Sequence, residues 1–328
     1  MGMRIIRENF NLKNSEDMNM ADRGMNKIVL VTRKTRLQEL VYKYNTVEQA
    51  RFYIEHLGAD FSDYLKEDEV YRKVVAQVKN IAEKYARVQE IDRDFAANMI
   101  FGEKDIVIAV GQDGLVVNVM KYLDNQPLIG VNPDADRWDG VLLPFESGDM
   151  AKIIPRVIAG NYDARQVTMA QASSKDGQSI LAVNDLFIGC RTHTSARYDI
   201  TWNQSTENHS SSGIIVSTGL GATGWYKSVI AQAQMIAQAF GCGQIPFNAP
   251  QWSDDKLTFV VREPYPSCAT QAGIVFGRIA KNDHFHVTSK MPANGVVFSD
   301  GIESDVIEFN AGTEIDVQIA AQKGHLVV

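Results

Sequence analysis

The stretch Asp105–Asn118 reads DIVIAVGQDGLVVN. Its apolar run, Ile106 to Val110, stops at Gly111. A short apolar run closed by glycine reads as a buried strand of a parallel sheet. The residues after Gly114, LVVNVMKYL, then open a helix. A glycine turn between strand and helix brings backbone N–H groups close to a ligand and aims a helix N-terminus at it, which suits phosphate. Asp113 sits inside this turn. A carboxylate there would repel phosphate unless it takes a proton from a hydroxyl or helps to hold a metal.

Upstream, Lys27–Thr32 (KIVLVT) predicts a first strand. Arg36–Leu57 predicts one helix, and Glu67–Tyr85 a second with Val70, Val74, Val78 and Ala82 on one stripe. Val88–Ile91 and Pro127–Asn132 are further strands. Strands alternating with helices predict a parallel, Rossmann-like α/β domain over residues 27–148 with right-handed crossovers. Residues 1–26 lack periodicity and are expected to form a flexible segment. From residue 149 short strands and turn residues dominate, predicting an all-β, sandwich-like domain over 149–328. Its candidate strands include Gln166–Gln171, Ser179–Phe187, Arg197–Asn203, Leu257–Arg262 and Glu314–Ile319. One helix, Trp225–Phe240, breaks the pattern, with Val229, Ala233, Ile236, Ala237 and Phe240 as its expected core face. The absence of a low-complexity linker predicts that the two domains share a cleft.

The 328 residues are 45% hydrophobic and 22% charged, the composition of a globular protein with a sizeable core. The net charge of −7 argues against broad nucleic-acid binding. No apolar run reaches membrane-spanning length, and the polar first 25 residues do not read as a signal peptide. Three cysteines, Cys190, Cys242 and Cys268, suit a reducing cytoplasm.

A second glycine-rich corner lies in the β region. Ser210–Lys227 reads SSSGIIVSTGLGATGWYK, an apolar strand followed by Gly219, Gly221 and Gly224 and then the helix. Thr218 and Thr223 add hydroxyls, and the helix start adds its positive dipole end. The spacing does not match a Walker loop, because no Lys-Ser/Thr follows the last glycine.

Three segments together carry a family resemblance. Gly111-Gln112-Asp113-Gly114 resembles the Gly-Gly-Asp-Gly signature of NAD kinases and of diacylglycerol and sphingosine kinases. Asn184-Asp185 is similar to the Asn-acidic pair of NAD kinases, and Thr218–Trp225 to their Thr-Pro-Thr-Gly-Ser-Thr-Ala-Tyr stretch. Val29–Ala50, Asn184–Gly189 and Ser211–Gly213 most resemble the mitochondrial-type branch. The resemblance implies an α/β domain followed by a β-sandwich, with NAD and ATP meeting between them. The implied reaction moves the ATP γ-phosphate, carried with Mg²⁺, to the 2′-hydroxyl of the adenosine ribose of NAD. By position it makes Asp113 the base and assigns Gly111, Gln112 and Gly114 to the phosphate loop. Asn184 and Asp185 would hold the dinucleotide, and Thr218, Gly221, Thr223 and Trp225 would line the adenine and phosphate sites. It also implies a homodimer or larger assembly.

Departures from the pattern keep other readings open. Gln112 stands where the signature has its second glycine, and Leu115 where Thr is usual. One alternative is therefore an NAD(P)-binding regulatory protein with weak or no turnover, and another is a lipid kinase of the diacylglycerol type. The donor could also be a phosphoryl compound other than ATP. Several residues have ordinary structural readings. Asp113 could cap its helix. Asp300-Gly301 reads as a hairpin turn, with its acidic neighbours Glu303 and Asp305 solvated. His284 and His286 share one strand face, which permits metal binding. No third ligand is evident, so they read as core or surface histidines and no metal ligand is assigned.

Overall fold

The computed structural model describes residues 27–328, apart from the side chains of Glu303 and Ser304. The expected flexible segment 1–26 lies outside the described residues. Ile106–Val110 is a strand buried at every position, as its unbroken apolar run requires. It pairs in parallel with Ile28–Thr32 on one side and Pro127–Val131 on the other. Ile28–Thr32 in turn pairs in parallel with Val88–Asp92. The chain thus changes direction across the sheet between Ile28–Thr32 and Ile106–Val110. Their carboxyl ends form the crevice where open α/β sheets bind ligands.

The helix Ser62–Ala82 fixes that crevice. The Tyr71 hydroxyl accepts from Arg33 N–H at 2.8 Å and donates to the Val110 carbonyl at 2.9 Å, tying the ends of both strands together. Arg33 pairs with buried Glu67 at 3.0 Å, and the Thr35 hydroxyl donates to Asp68 at 2.7 Å. Burial opposes ionisation of Glu67, but Arg36 and Arg33 hold its carboxyl below the usual range. Tyr71→Phe is expected to lower stability by about 1–3 kcal/mol, since it strands a buried N–H and a buried carbonyl; urea denaturation measures it.

The same sheet continues into the second half of the chain. Glu314–Val327 pairs in parallel with Pro127–Val131 through His325 and Leu326, and antiparallel with Ala164–Ser174 and Phe285–Ser289. Ala196–Trp202 and Ser205–Ser211 complete that edge. A second, six-stranded antiparallel sheet runs Phe276–Ala280, Lys256–Val261, Ile214–Ser217, Asp185–Cys190, Gly295–Ser299 and Ile302–Glu308. The two sheets close over a core that includes Ile188, Tyr198, Ile214, Phe259 and Phe285. The architecture is therefore an α/β domain joined to a β-sandwich, as predicted.

Several elements differ from expectation. The helix expected over Arg36–Leu57 is two, Arg36–Tyr44 and Val47–His56. Asn45 takes a positive φ of 69° and ends the first, and Thr46 caps the second. The strand expected over Ser179–Phe187 is broken into Ser179–Ala182 and Asp185–Cys190, and the corner between them carries Asn184. A helix at Met150–Ile158 was not expected, because Pro155 inside it masks the pattern. The helix Trp225–Ala239 buries only Tyr226 fully; Ile236 and Phe240, assigned to its core face, are exposed.

Candidate functional site

The turn after Ile106–Val110 is built without unusual backbone. Gln112 is the N-cap of the helix Asp113–Met120 at φ −114° and ψ 165°, so the position needs no glycine. Its side chain makes no capping bond. Asp113 is the first helical residue and not the cap. Its carboxylate accepts from Leu142 N–H at 2.8 Å and from Val141 N–H at 3.2 Å, fastening the loop before Phe145 to the turn. At Gly111 a Cβ would stand 2.8 Å from Leu115 Cδ2, whereas at Gly114 it would meet nothing within 4 Å. Gly114 leaves open space where the helix N-terminus faces a cavity.

That cavity, about 280 Å³, is lined by Asp113, Gly114, Val117, Val141 and Leu142 from the first half of the chain. The second half contributes Asn184, Asp185, Leu220, Gly221, Thr223, Gly224 and Trp225. The two glycine-bearing corners thus meet across one groove, with the Asn184-Asp185 corner beside them. Gly111, Gln112 and Thr218 are not on its wall. Thr218 is buried and acts on the backbone: its hydroxyl donates to the Val183 carbonyl at 2.6 Å and accepts from Gly221 N–H at 3.1 Å. Its own N–H donates to the Asn184 carbonyl at 2.9 Å. Trp225 stacks on Phe187 with centroids 5.6 Å apart, and the Arg262 guanidinium lies 5.3 Å over its ring. Beyond Trp225 a second cavity of about 260 Å³ includes Phe187, Cys190, Ser212 and Arg262.

The hairpin turn at Asp300-Gly301 does more than reverse the chain. Both residues have positive φ, 53° and 72°, as an Asp-Gly hairpin demands. The Asp300 carboxylate accepts from the N–H groups of Val183 at 3.0 Å, Asn184 at 2.6 Å and Asp185 at 3.3 Å. It therefore holds the Asn184-Asp185 corner. Lys121, just past the helix Asp113–Met120, is buried and reaches Ser299 Oγ at 3.0 Å and Asp305 at 3.3 Å. Asp305 keeps a 42% exposed side chain, as expected, and is in addition paired with this lysine and with the Tyr122 hydroxyl. Sequence reasoning missed this clamp because its parts lie far apart in the chain; the Asp-Gly pair was its one local signal.

Burial, and then the neighbouring Asp300, push the Asp185 carboxyl up to about 7. Desolvation raises Asp300 as well, against the pull of three backbone N–H groups and Lys121. For Asp185 the folded state favours the neutral acid. Its contribution to stability is therefore present at low pH and lost as pH rises from the unfolded value towards about 7. Asp185→Asn is expected to match the parent near pH 4 and exceed it near pH 8, by on the order of 1–3 kcal/mol in urea denaturation.

Comparison with known proteins places this architecture. The chain has the NAD kinase fold. It superposes on yeast NADH kinase, solved with NADH, with a TM-score of 0.56 at 14% identity, over 93% of this chain and 84% of that one. It superposes on an NAD kinase from Archaeoglobus fulgidus, solved with ATP, with a TM-score of 0.52 at 13% identity, over 92% and 93%. In sequence it is similar to the NAD kinase of Chlorobaculum tepidum, 24% identical over 127 residues, 38% of this chain and 44% of that protein. The NAD kinase of Burkholderia pseudomallei is 27% identical over 130 residues, 37% and 42%. The chain thus spans less than half the length of the curated relatives it matches. No known family profile matches it. These sequence relatives and structural neighbours are NAD or NADH kinases. Among the described residues no helix is long and apolar enough to cross a membrane.

Proposed function

We propose that the chain is an NAD kinase-like phosphotransferase, moving the γ-phosphate of ATP to the 2′-hydroxyl of the adenosine ribose of NAD. The observation that carries this reading is the single cavity in which Asp113, Asn184-Asp185 and the 220–225 corner meet. Asp113 is the base for the 2′-hydroxyl. The N-terminus of its helix faces the transferred phosphate, and Gly114 leaves room for it. Asn184, Asp185 and Trp225 take the dinucleotide. Gly111, Gln112 and Thr218 act one step back, shaping the turn and the corner. Phosphoryl transfer asks mainly for positioning and charge neutralisation, which a groove between two fixed corners supplies. The Mg²⁺ brought by ATP would keep several waters and need few protein ligands, and no side chain is assigned to it.

In this reading residues 27–148 form the phosphate-binding part and residues 149–328 the dinucleotide-binding part. The resemblance of Val29–Ala50 and Asn184–Gly189 supports the mitochondrial-type branch. Three free cysteines fit a reducing cytoplasm. A homodimer or larger assembly follows from the same resemblance. Incubation of the protein with NAD and MgATP tests the reading: NADP is the expected product. Thermal stabilisation by NAD without NADP would instead favour the dinucleotide-binding regulatory protein.

A further inference from the structure

The strand Phe285–Ser289 places Phe285 and Val287 in the core, so His286 faces the other side of the sheet. Directly opposite His286 on the next strand stands Asp316. His286 Nδ1 lies 2.8 Å from Asp316 Oδ1, and His284 Nδ1 lies 4.0 Å from the same oxygen. One ligand atom from each of the three residues falls within 4.8 Å of the others. The two imidazoles stack with centroids 5.6 Å apart. The third ligand, Asp316, comes from the neighbouring strand. His284 is held at the strand entrance, where its carbonyl accepts from Asn203 N–H at 2.8 Å.

The other nitrogen of His286 adds a second observation. Nε2 lies 3.1 Å from Glu314 Oε2 and 3.2 Å from Thr288 Oγ1. Glu314 is itself paired with Lys175. Both ring nitrogens of His286 therefore face carboxylate oxygens, Nδ1 that of Asp316 and Nε2 that of Glu314. A carboxylate orienting the outer nitrogen of a metal-binding histidine is the usual support of such ligands. We propose that His284, His286 and Asp316 form a binding site for a divalent transition ion of the Zn²⁺ type, with Glu314 as the positioning residue for His286. Two nitrogens and one oxygen suit Zn²⁺, Co²⁺ or Ni²⁺ and not Mg²⁺, which prefers oxygen throughout. Tetrahedral ligands on Zn²⁺ stand about 3.3 Å apart, so the His286–Asp316 contact opens slightly and the exposed His284 ring closes in. Three protein ligands leave a fourth position for water or another donor. The ion would link Phe285–Ser289 to the start of Glu314–Val327, the strand shared by both halves of the long sheet.

Titration of the chelator-treated full chain with Co²⁺, followed by its visible d–d absorption, and with Zn²⁺ by calorimetry, tests this. The expected result is one equivalent with nitrogen and oxygen ligation. His284→Ala and Asp316→Asn, both at exposed or half-exposed positions, are expected to lose that equivalent while their melting curves in chelator match the parent. Glu314→Gln is expected to weaken binding by about tenfold or more. Absence of binding in the parent overturns the site. Equal binding by the parent and both ligand variants overturns it as well. So does a thiolate-to-cobalt charge-transfer band, which would place the ion on a cysteine.

Discussion

Asp113→Asn is expected to lower NADP formation by at least about a hundredfold, in line with the 10²–10⁴ that a general base contributes, and to leave NAD affinity near that of the parent. Both carboxylate oxygens already accept backbone N–H groups, from Val141 and Leu142. These contacts fix the carboxylate at the edge of the cavity. An asparagine keeps one acceptor but turns an NH₂ towards the other backbone N–H, so the 141–142 loop loosens. The variant's melting curve and NAD titration therefore accompany the rate measurement. A large fall in kcat at unchanged NAD affinity supports the base. An active variant reduces Asp113 to a loop fastener and removes the proposed mechanism.

Gly221→Ala is expected to have the larger structural effect. Its Cβ would lie 2.0 Å from the Asn184 carbonyl oxygen, 2.6 Å from the carbonyl carbon and 2.9 Å from the Cα. All three are backbone atoms and cannot rotate away. The two corners must separate, which also disturbs the Thr218 bonds to Val183 and Asn184. Overpacking of this kind costs about 1–3 kcal/mol, read as a lowered urea midpoint. NAD affinity should fall with it, by roughly tenfold if about 1.4 kcal/mol of corner geometry is lost. Gly114→Ala is the contrasting control. No atom lies within 4 Å of its Cβ, and alanine suits a helix better than glycine. Its stability should stay level or rise by up to about 1 kcal/mol. A loss of NADP formation in this variant would report on ligand space alone.

The parts of the fold that were legible are those whose signal is local. Ile106–Val110 is buried on both faces, so its five residues are all apolar and its end is marked by Gly111. The break at Asn45 was not legible, because a single residue in a left-handed conformation interrupts an apolar stripe that runs on past it. Ser205–Ser211 was missed because STENHSS carries no alternation of apolar residues and its hairpin turns on Asn203-Gln204 in place of a glycine pair. The exposed side of Trp225–Ala239 was misread because periodicity shows that a face is apolar, not that something covers it. In the candidate site, Asp113, Asn184-Asp185 and Gly221–Trp225 could be read as motifs since each sits on one continuous corner. The Asp300 and Lys121 clamp, and Asp316 opposite the histidines, arise only from strand register and tertiary contact.

The strand Glu314–Val327 has a consequence for the order of events during synthesis. Pro127–Val131 leaves the ribosome nearly two hundred residues before the partner that pairs along its free side through His325 and Leu326. For that interval the nascent α/β half shows an unpaired, apolar sheet margin, the kind of surface that recruits other strands. Completion of the early half therefore waits on residues nearly two hundred positions further along. Chaperone supply and growth temperature should govern the yield of native protein more strongly than its final stability does.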